Sequence, residues 1–361
     1  MKDAIRAAVR RTLRGVPLPV WRRLFPKSAL GFCYHIVTDA NVPHVRHYPL
    51  LGTAAFEADL LYLKRNFGFL TYDQLARRRG GANAIRDNAA IVTFDDGFAE
   101  VATVAAPILR RHGADGVFFV ITDLIDNAAV FRETEAALCA AAIAVLPLEQ
   151  VEAILRDLGL TGPLPPPPDR AAWDAVRLPL ETVRLDAPPD PRLRPLLHWL
   201  LTIDAADAPV LRALSLRLGI DPCAYVRTAQ PYLTTQQMRQ LRADGFTIGA
   251  HSRSHRGLQR LPQAEAEREI VESCRIVRDL TGQEKVPFAF PYFGGGLDRD
   301  WLARLRRKHD FIGLFFDTDG LREDAPFVVQ RVFGERIGSD RTLPAILRRA
   351  WARPGAWGRN R

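Results

Sequence analysis

Short apolar, β-branched runs alternate with longer segments of helical period along most of this chain, and that alternation predicts an α/β architecture. The run LGFCYHIV at 30–37 predicts a strand, and 54–68 predicts a helix stopped at Gly68. Residues 89–94 (AAIVTF) predict the next strand, 99–113 a helix closed by Gly113, and 116–121 (GVFFVI) a further strand. There the rhythm breaks. From 122 to 229 the chain is rich in Ala and Leu, and a Pro run within 158–170 cannot lie in a helix interior. A largely helical insertion with a stiff Pro-rich connection is expected there. The alternation resumes at 233–245, where Thr234 and Gln237 have the spacing of a capping box and Gly245 supplies the stop. Strands are expected at 246–250, 286–292, 311–316 and 327–333, with helices at 263–282, 297–309 and 342–352. About seven core strands suit a closed or nearly closed barrel.

The expected organisation follows from this pattern. Residues 29–121 and 230–352 form the barrel, 122–229 the insertion, 1–28 a basic amphipathic segment and 353–361 a basic tail. Composition supports a substantial core, since the chain is 47% hydrophobic and 25% charged. Charge adds a second point. The net charge is +9 and the 50 Lys and Arg are nearly all Arg, which favours anionic partners. No zinc-finger spacing or RNP-like motif is present, so nucleic acid is not expected as a partner. Cys33, Cys139, Cys223 and Cys274 are far apart and form no CxxC, which argues for reduced thiols over a disulfide framework.

The N-terminus carries no long apolar stretch, so neither a signal peptide nor a membrane span is expected. Ile5, Val9 and Leu13 recur beside Arg6, Arg10 and Arg14 at helical spacing. Such a helix either packs on the barrel as a cap or lies on an anionic membrane surface.

Polar residues fall at the ends of the predicted strands, where α/β barrels carry their chemistry. His35 ends the first, Asp95 and Asp96 the second, His251 and His255 a later one, and Tyr292 the FAFPY strand. On a turn of helix, the HSRSH spacing would put both imidazoles on one face, able to share a metal. With one carboxylate they leave coordination positions open, as a catalytic site requires. Adjacent carboxylates repel, and a bound cation would relieve that cost while leaving the second acid free as a base. The plainer alternatives are an acidic Asp-Gly turn and two surface histidines.

TFDDG (93–97), HSRSH (251–255) and FAFPY (288–292), in that order and at matching strand ends, resemble the polysaccharide deacetylase family, the NodB-homology domain of carbohydrate esterase family four. The likeness spans roughly 30–121 and 230–335 and leaves the insertion outside. The resemblance implies a distorted (β/α)7-type barrel. It implies Asp95 as general base, a divalent metal, usually zinc, on Asp96, His251 and His255, and the backbone N–H of Tyr292 in an oxyanion hole. Two departures stand out. Ala289 occupies the place where many members carry an Arg that orients the base, and the late motif supplying a general acid is missing. The CYHIV stretch is similar to an early YH motif in a branch that deacetylates poly-N-acetylglucosamine, which makes His35 the acid. Arg331 lies where the family often has an Arg near the last strand, and is expected to pair with an acid in the site.

The expected function is metal-dependent removal of an N-acetyl group from an amino sugar in a glycan or in a lipid- or nucleotide-linked precursor. A cytoplasmic setting, with peripheral contact to the inner membrane, is expected from the absent signal and the basic N-terminus. The alternatives are an amidohydrolase of the same superfamily acting on another amide or formamide, a catalytically silent scaffold for glycans or membranes, and an iron site.

Overall fold

Along each strand the side chains alternate between the inside of a barrel and the helices outside it. In β2 (Ala89–Phe94), Ala90, Val92 and Phe94 join the core beneath the helices, while Ile91 joins the separate cluster that fills the barrel. The same parity carries Thr93 and Asp95 inward. The computed structural model describes residues 20, 29–45, 50–79, 89–160, 190–201, 203, 207–319, 321, 324–335 and 342–351. Apart from Val20, the N-terminal segment 1–28 lies outside the described residues, as do the basic tail and most of the Pro run.

The strands are β1 (Ala29–Tyr34), β2, β3 (Gly116–Val120), β4 (Thr247–Ala250), β5 (Val286–Ala289), β6 (Ile312–Asp317) and β7 (Val328–Phe333). They close in chain order into a parallel barrel, with β7 returning to pair with β1. The (β/α)7-type barrel expected from the sequence is therefore the observed fold. Its distortion centres on β5. Only Ala250 and Phe288 pair between β4 and β5, and the β5–β6 register shifts between Val286 and Phe288. Pro287 sits at that shift, and a proline has no N–H to give the ladder.

The barrel helices are α1 (Thr53–Asn66), α2 (Tyr72–Arg79) and α3 (Ala106–His112). Four more, α4 (Arg132–Val145), α5 (Leu148–Asp157), α6 (Arg194–Leu201) and α7 (Ala208–Arg217), lie between β3 and β4 and bury their own apolar cluster, which includes Ile143, Val151, Leu197 and Leu214. They are followed by α8 (Pro222–Ala229), α9 (Thr235–Ala243), α10 (Gln263–Thr281), α11 (Arg299–Lys308) and α12 (Leu343–Trp351). The capping box at Thr234 and Gln237 opens α9, and Gly282 ends α10 in the left-handed conformation. One helix differs from expectation. The predicted 99–113 helix begins as a π-turn at Val101–Ala105, because Pro107 cannot complete the α-turn that Thr103 would close. Among the described residues, no helix is long and apolar enough to cross a membrane.

Candidate active site

At the C-terminal ends of β1, β2, β4 and β7 the inward parity changes from apolar to polar side chains. Asp95 follows β2 and is buried, with its N–H bonded to Tyr34 O at 2.9 Å. Both its oxygens are taken by Arg331 of β7, Oδ1 at 2.6 Å from Nη1 and Oδ2 at 2.8 Å from Nη2. Arg331 is wholly buried and crosses the barrel between the rings of Phe119 and Phe316. Gly31 makes this possible. It pairs with Arg331 in register, and a Cβ there would stand 2.6 Å from Arg331 Cγ. Burial alone would raise the Asp95 carboxyl, but Arg331, with help from His251, holds it well below the usual carboxylate range. The expected Arg–acid pair is present, and it supplies from β7 the guanidinium that Ala289 does not.

Asp96 takes φ 69, which turns its side chain from Asp95 toward the histidines. Its Oδ1 lies 3.5 Å from His251 Nε2 and 3.4 Å from His255 Nε2. Ligand atoms of the three residues lie within 4.8 Å of one another, and all three residues are buried. His251 continues the inward parity of β4, and its Nδ1 faces Ala289 O at 2.9 Å. That bond makes Nδ1 the protonated nitrogen and leaves the Nε2 lone pair on Asp96. Burial takes the His251 ring down to about 4, so it is neutral at physiological pH. The donor set, one carboxylate and two imidazole nitrogens meeting at distances too long for hydrogen bonds, fits a divalent metal.

HSRSH is not helical. Ser252 and His255 take φ 63 and 56, and the loop is tied by the His255 N–H to Ser252 Oγ at 2.9 Å. The two rings meet because of these left-handed turns, with centroids 5.0 Å apart. The helical geometry expected of the i, i+4 spacing is not observed, and the loop brings the two rings together instead.

His35, half-buried just beyond β1, has its Nδ1 facing both oxygens of Glu335, at 3.0 and 2.9 Å. Burial opposes a charge on this ring, but the Glu335 carboxylate prevails and lifts it to about 9. A ring nitrogen of His35, an oxygen of Asp95 and Cys33 Sγ also lie within 4.8 Å of one another. This second trio suits a metal poorly. Asp95 already faces the Arg331 cation, and burial pushes the Cys33 thiol well up, away from the thiolate a metal needs.

Tyr292 lies past the end of β5, in a loop, with φ 60. Its carbonyl accepts from Thr318 Oγ1 at 2.6 Å, and its hydroxyl donates to Glu133 Oε1 at 2.8 Å. The glycine run beside it is tethered: Gly294 N–H donates to Asp317 Oδ1 and Gly294 O accepts from Arg299 Nη1, each at 2.8 Å. Glu133 and Glu335 were not singled out by the sequence. One lies in a helix and one in a loop, without a motif to mark either.

The fold and site define a closed parallel barrel with a polar mouth built from strand ends. The polysaccharide deacetylase family model matches residues 82–153 and 217–308, and the resemblance carried by TFDDG and HSRSH is that family. The match runs past residue 121 to take in Glu133. Over these two segments the chain resembles the polysaccharide deacetylase family, hydrolases that remove acetyl groups. Its fold is similar to that of the deacetylase PplD of Streptococcus pyogenes, solved in complex with acetate, at 14% identity and TM-score 0.52, covering 91% of this chain and 100% of that one. IcaB from Ammonifex degensii aligns at 16% identity and TM-score 0.47, over 91% of this chain and 98% of that one. A polysaccharide deacetylase from Bacillus cereus aligns at 14% identity and TM-score 0.45, over 84% and 64%. No curated protein sequence matches the chain.

Proposed function

We propose that this protein is a metal-dependent de-N-acetylase that releases acetate from an N-acetylated amino sugar in a glycan or glycan precursor. The observation that carries the reading is the convergence of Asp96, His251 and His255 beside a second, separately held acid, Asp95. Asp96 Oδ1 and the Nε2 atoms of His251 and His255 would hold a divalent ion, zinc by donor type. Such an ion supplies Lewis acidity to the acetamide carbonyl and to the attacking water.

The chain's own residues do the rest. Asp95, kept ionised and fixed in direction by Arg331, takes a proton from the water. His35, charged at neutral pH, has Nδ1 engaged by Glu335, and its Nε2 is the proposed proton donor to the departing nitrogen. As the water oxygen bonds to the acetyl carbon the C–N bond breaks, and the sugar leaves as an amine with acetate as the other product. The backbone N–H of Tyr292 is the proposed donor to the carbonyl oxygen as it gains charge. Support comes from the Thr318 bond, which holds the carbonyl of that residue. The acetate seen with PplD is the product this reading expects here.

Acetate release from N-acetylglucosamine oligomers tests the proposal. Release is expected to stop with a chelator and return with zinc. Release that ignores the chelator, or no acetate from any N-acetylated sugar, would sink it. A finer proposal, a lipid- or nucleotide-linked substrate at the cytoplasmic face of an anionic membrane, draws on the net charge of +9. Cell fractionation tests that part: protein found outside the cytoplasm ends it.

A further inference from the structure

We infer that Glu133, at the start of α4, is a positioning residue that sets the ring of His255 and, through the same oxygen, the side chain of Tyr292. The inference rests on the reading of Asp96, His251 and His255 as a divalent-metal site. Glu133 Oε1 gathers three groups: Tyr292 OH at 2.8 Å, Arg132 Nη2 at 3.0 Å and His255 Nδ1 at 3.3 Å. Arg132 Nη2 also donates to the Tyr292 hydroxyl oxygen at 2.9 Å, closing the group.

A solvated ion pair would look different. The side chains of Arg132 and Glu133 are each only 13% exposed and turn inward onto the mouth. A metal-holding imidazole commonly turns its other nitrogen to a carboxylate or carbonyl, which fixes the tautomer and the ring plane. His251 has Ala289 O for this, and His255 has Glu133 in the corresponding place. The 3.3 Å contact is in ion-pair range and is not aligned as a hydrogen bond.

His255 has particular need of such a partner. Its φ of 56 is a conformation that a non-glycine residue holds only when its surroundings impose it. Those surroundings come largely from the approach to α4. Phe131 meets the His255 ring edge-on at 5.1 Å, and Tyr292 lies against it at 4.7 Å. One carboxylate from the helical segment between β3 and β4 thereby touches both a ligand ring and the residue proposed to present the oxyanion donor.

The test compares two acids of α4 in the full chain, Glu133 and Glu135. Glu133 faces the mouth, while Glu135 accepts from Ser215 Oγ at 2.7 Å and faces the helical cluster. Zinc dissociation constants are measured by competition with a chelating dye, together with the ligand-field spectrum of the cobalt-loaded protein. Glu133→Gln is expected to weaken zinc binding by about 10–100-fold and to shift the cobalt bands. Glu135→Gln is expected to lower the melting temperature and leave affinity and spectrum as in wild type. Zinc affinity of Glu133→Gln within about twofold of wild type overturns the inference, as does equal weakening in both variants. If Glu133→Gln does not fold, Glu133→Asp carries the test: intermediate affinity supports the inference and wild-type affinity overturns it. Wild-type protein that binds no divalent ion overturns the proposed function itself, a result distinct from these.

Discussion

His35 and His251 share one mouth and reach opposite protonation states, because different acceptors face their Nδ1 atoms. Burial works against charge on both rings. At His35 the full charge of Glu335 outweighs it and lifts the ring to about 9. At His251 the Nδ1 partner is the uncharged Ala289 carbonyl, and burial, with His255 nearby, outweighs the pull of Asp95 and Asp96, so the ring falls to about 4. One ring is therefore protonated at neutral pH and the other neutral. The residue type does not assign the role; the acceptor behind the ring does. The two aspartates divide in the same way, since Arg331 takes both oxygens of Asp95 while Asp96 turns its oxygen to the histidines.

The comparison breaks most severely at Arg331. Arg331→Leu leaves the Asp95 charge buried without its partner, and a loss of about 3–5 kcal/mol in unfolding free energy is expected. Denaturant titration at neutral pH measures it, and a loss below about 1 kcal/mol would mean that Asp95 does not depend on this pair. Glu335→Gln comes next and removes the charge that distinguishes His35 from His251. The alkaline limb of the rate profile should move from about 9 toward 6.5, with a loss of up to roughly thirtyfold at about pH 8. The sign for stability follows from a raised histidine. The contribution of the pair is present in full below 6.5 and fades as pH rises through about 9, so wild-type and Glu335→Gln unfolding curves should converge at high pH. Gly31→Ala has the smallest effect, since it crowds Arg331 Cγ without removing a charge, at about 1–3 kcal/mol. Its alkaline limb should stay with wild type, because His35 and Glu335 are untouched.

Much of this mouth was legible in the chain before folding. Short apolar, β-branched runs marked the strands, glycines closed the helices between them, and polar residues at strand ends marked Asp95, Asp96, His251, His255 and His35. The fold brings all five together. What escaped was carried by contacts between distant elements. Glu133 and Glu335 are acids that gain meaning only when α4 and the end of β7 close around the mouth. The need for Gly31 is visible only from the next strand, where Arg331 passes over it. The HSRSH loop shows a further limit, because helical spacing and a pair of left-handed turns can bring the same two rings together.

The central claim is the division of labour between Asp95 and Asp96, and one paired measurement addresses it: metal content and acetate release for Asp95→Asn and Asp96→Asn, beside wild type. The account predicts that Asp95→Asn keeps its zinc and loses about 10²–10⁴-fold in rate, whereas Asp96→Asn loses the metal and the rate together. Zinc retained by Asp96→Asn, or lost from Asp95→Asn, would contradict it.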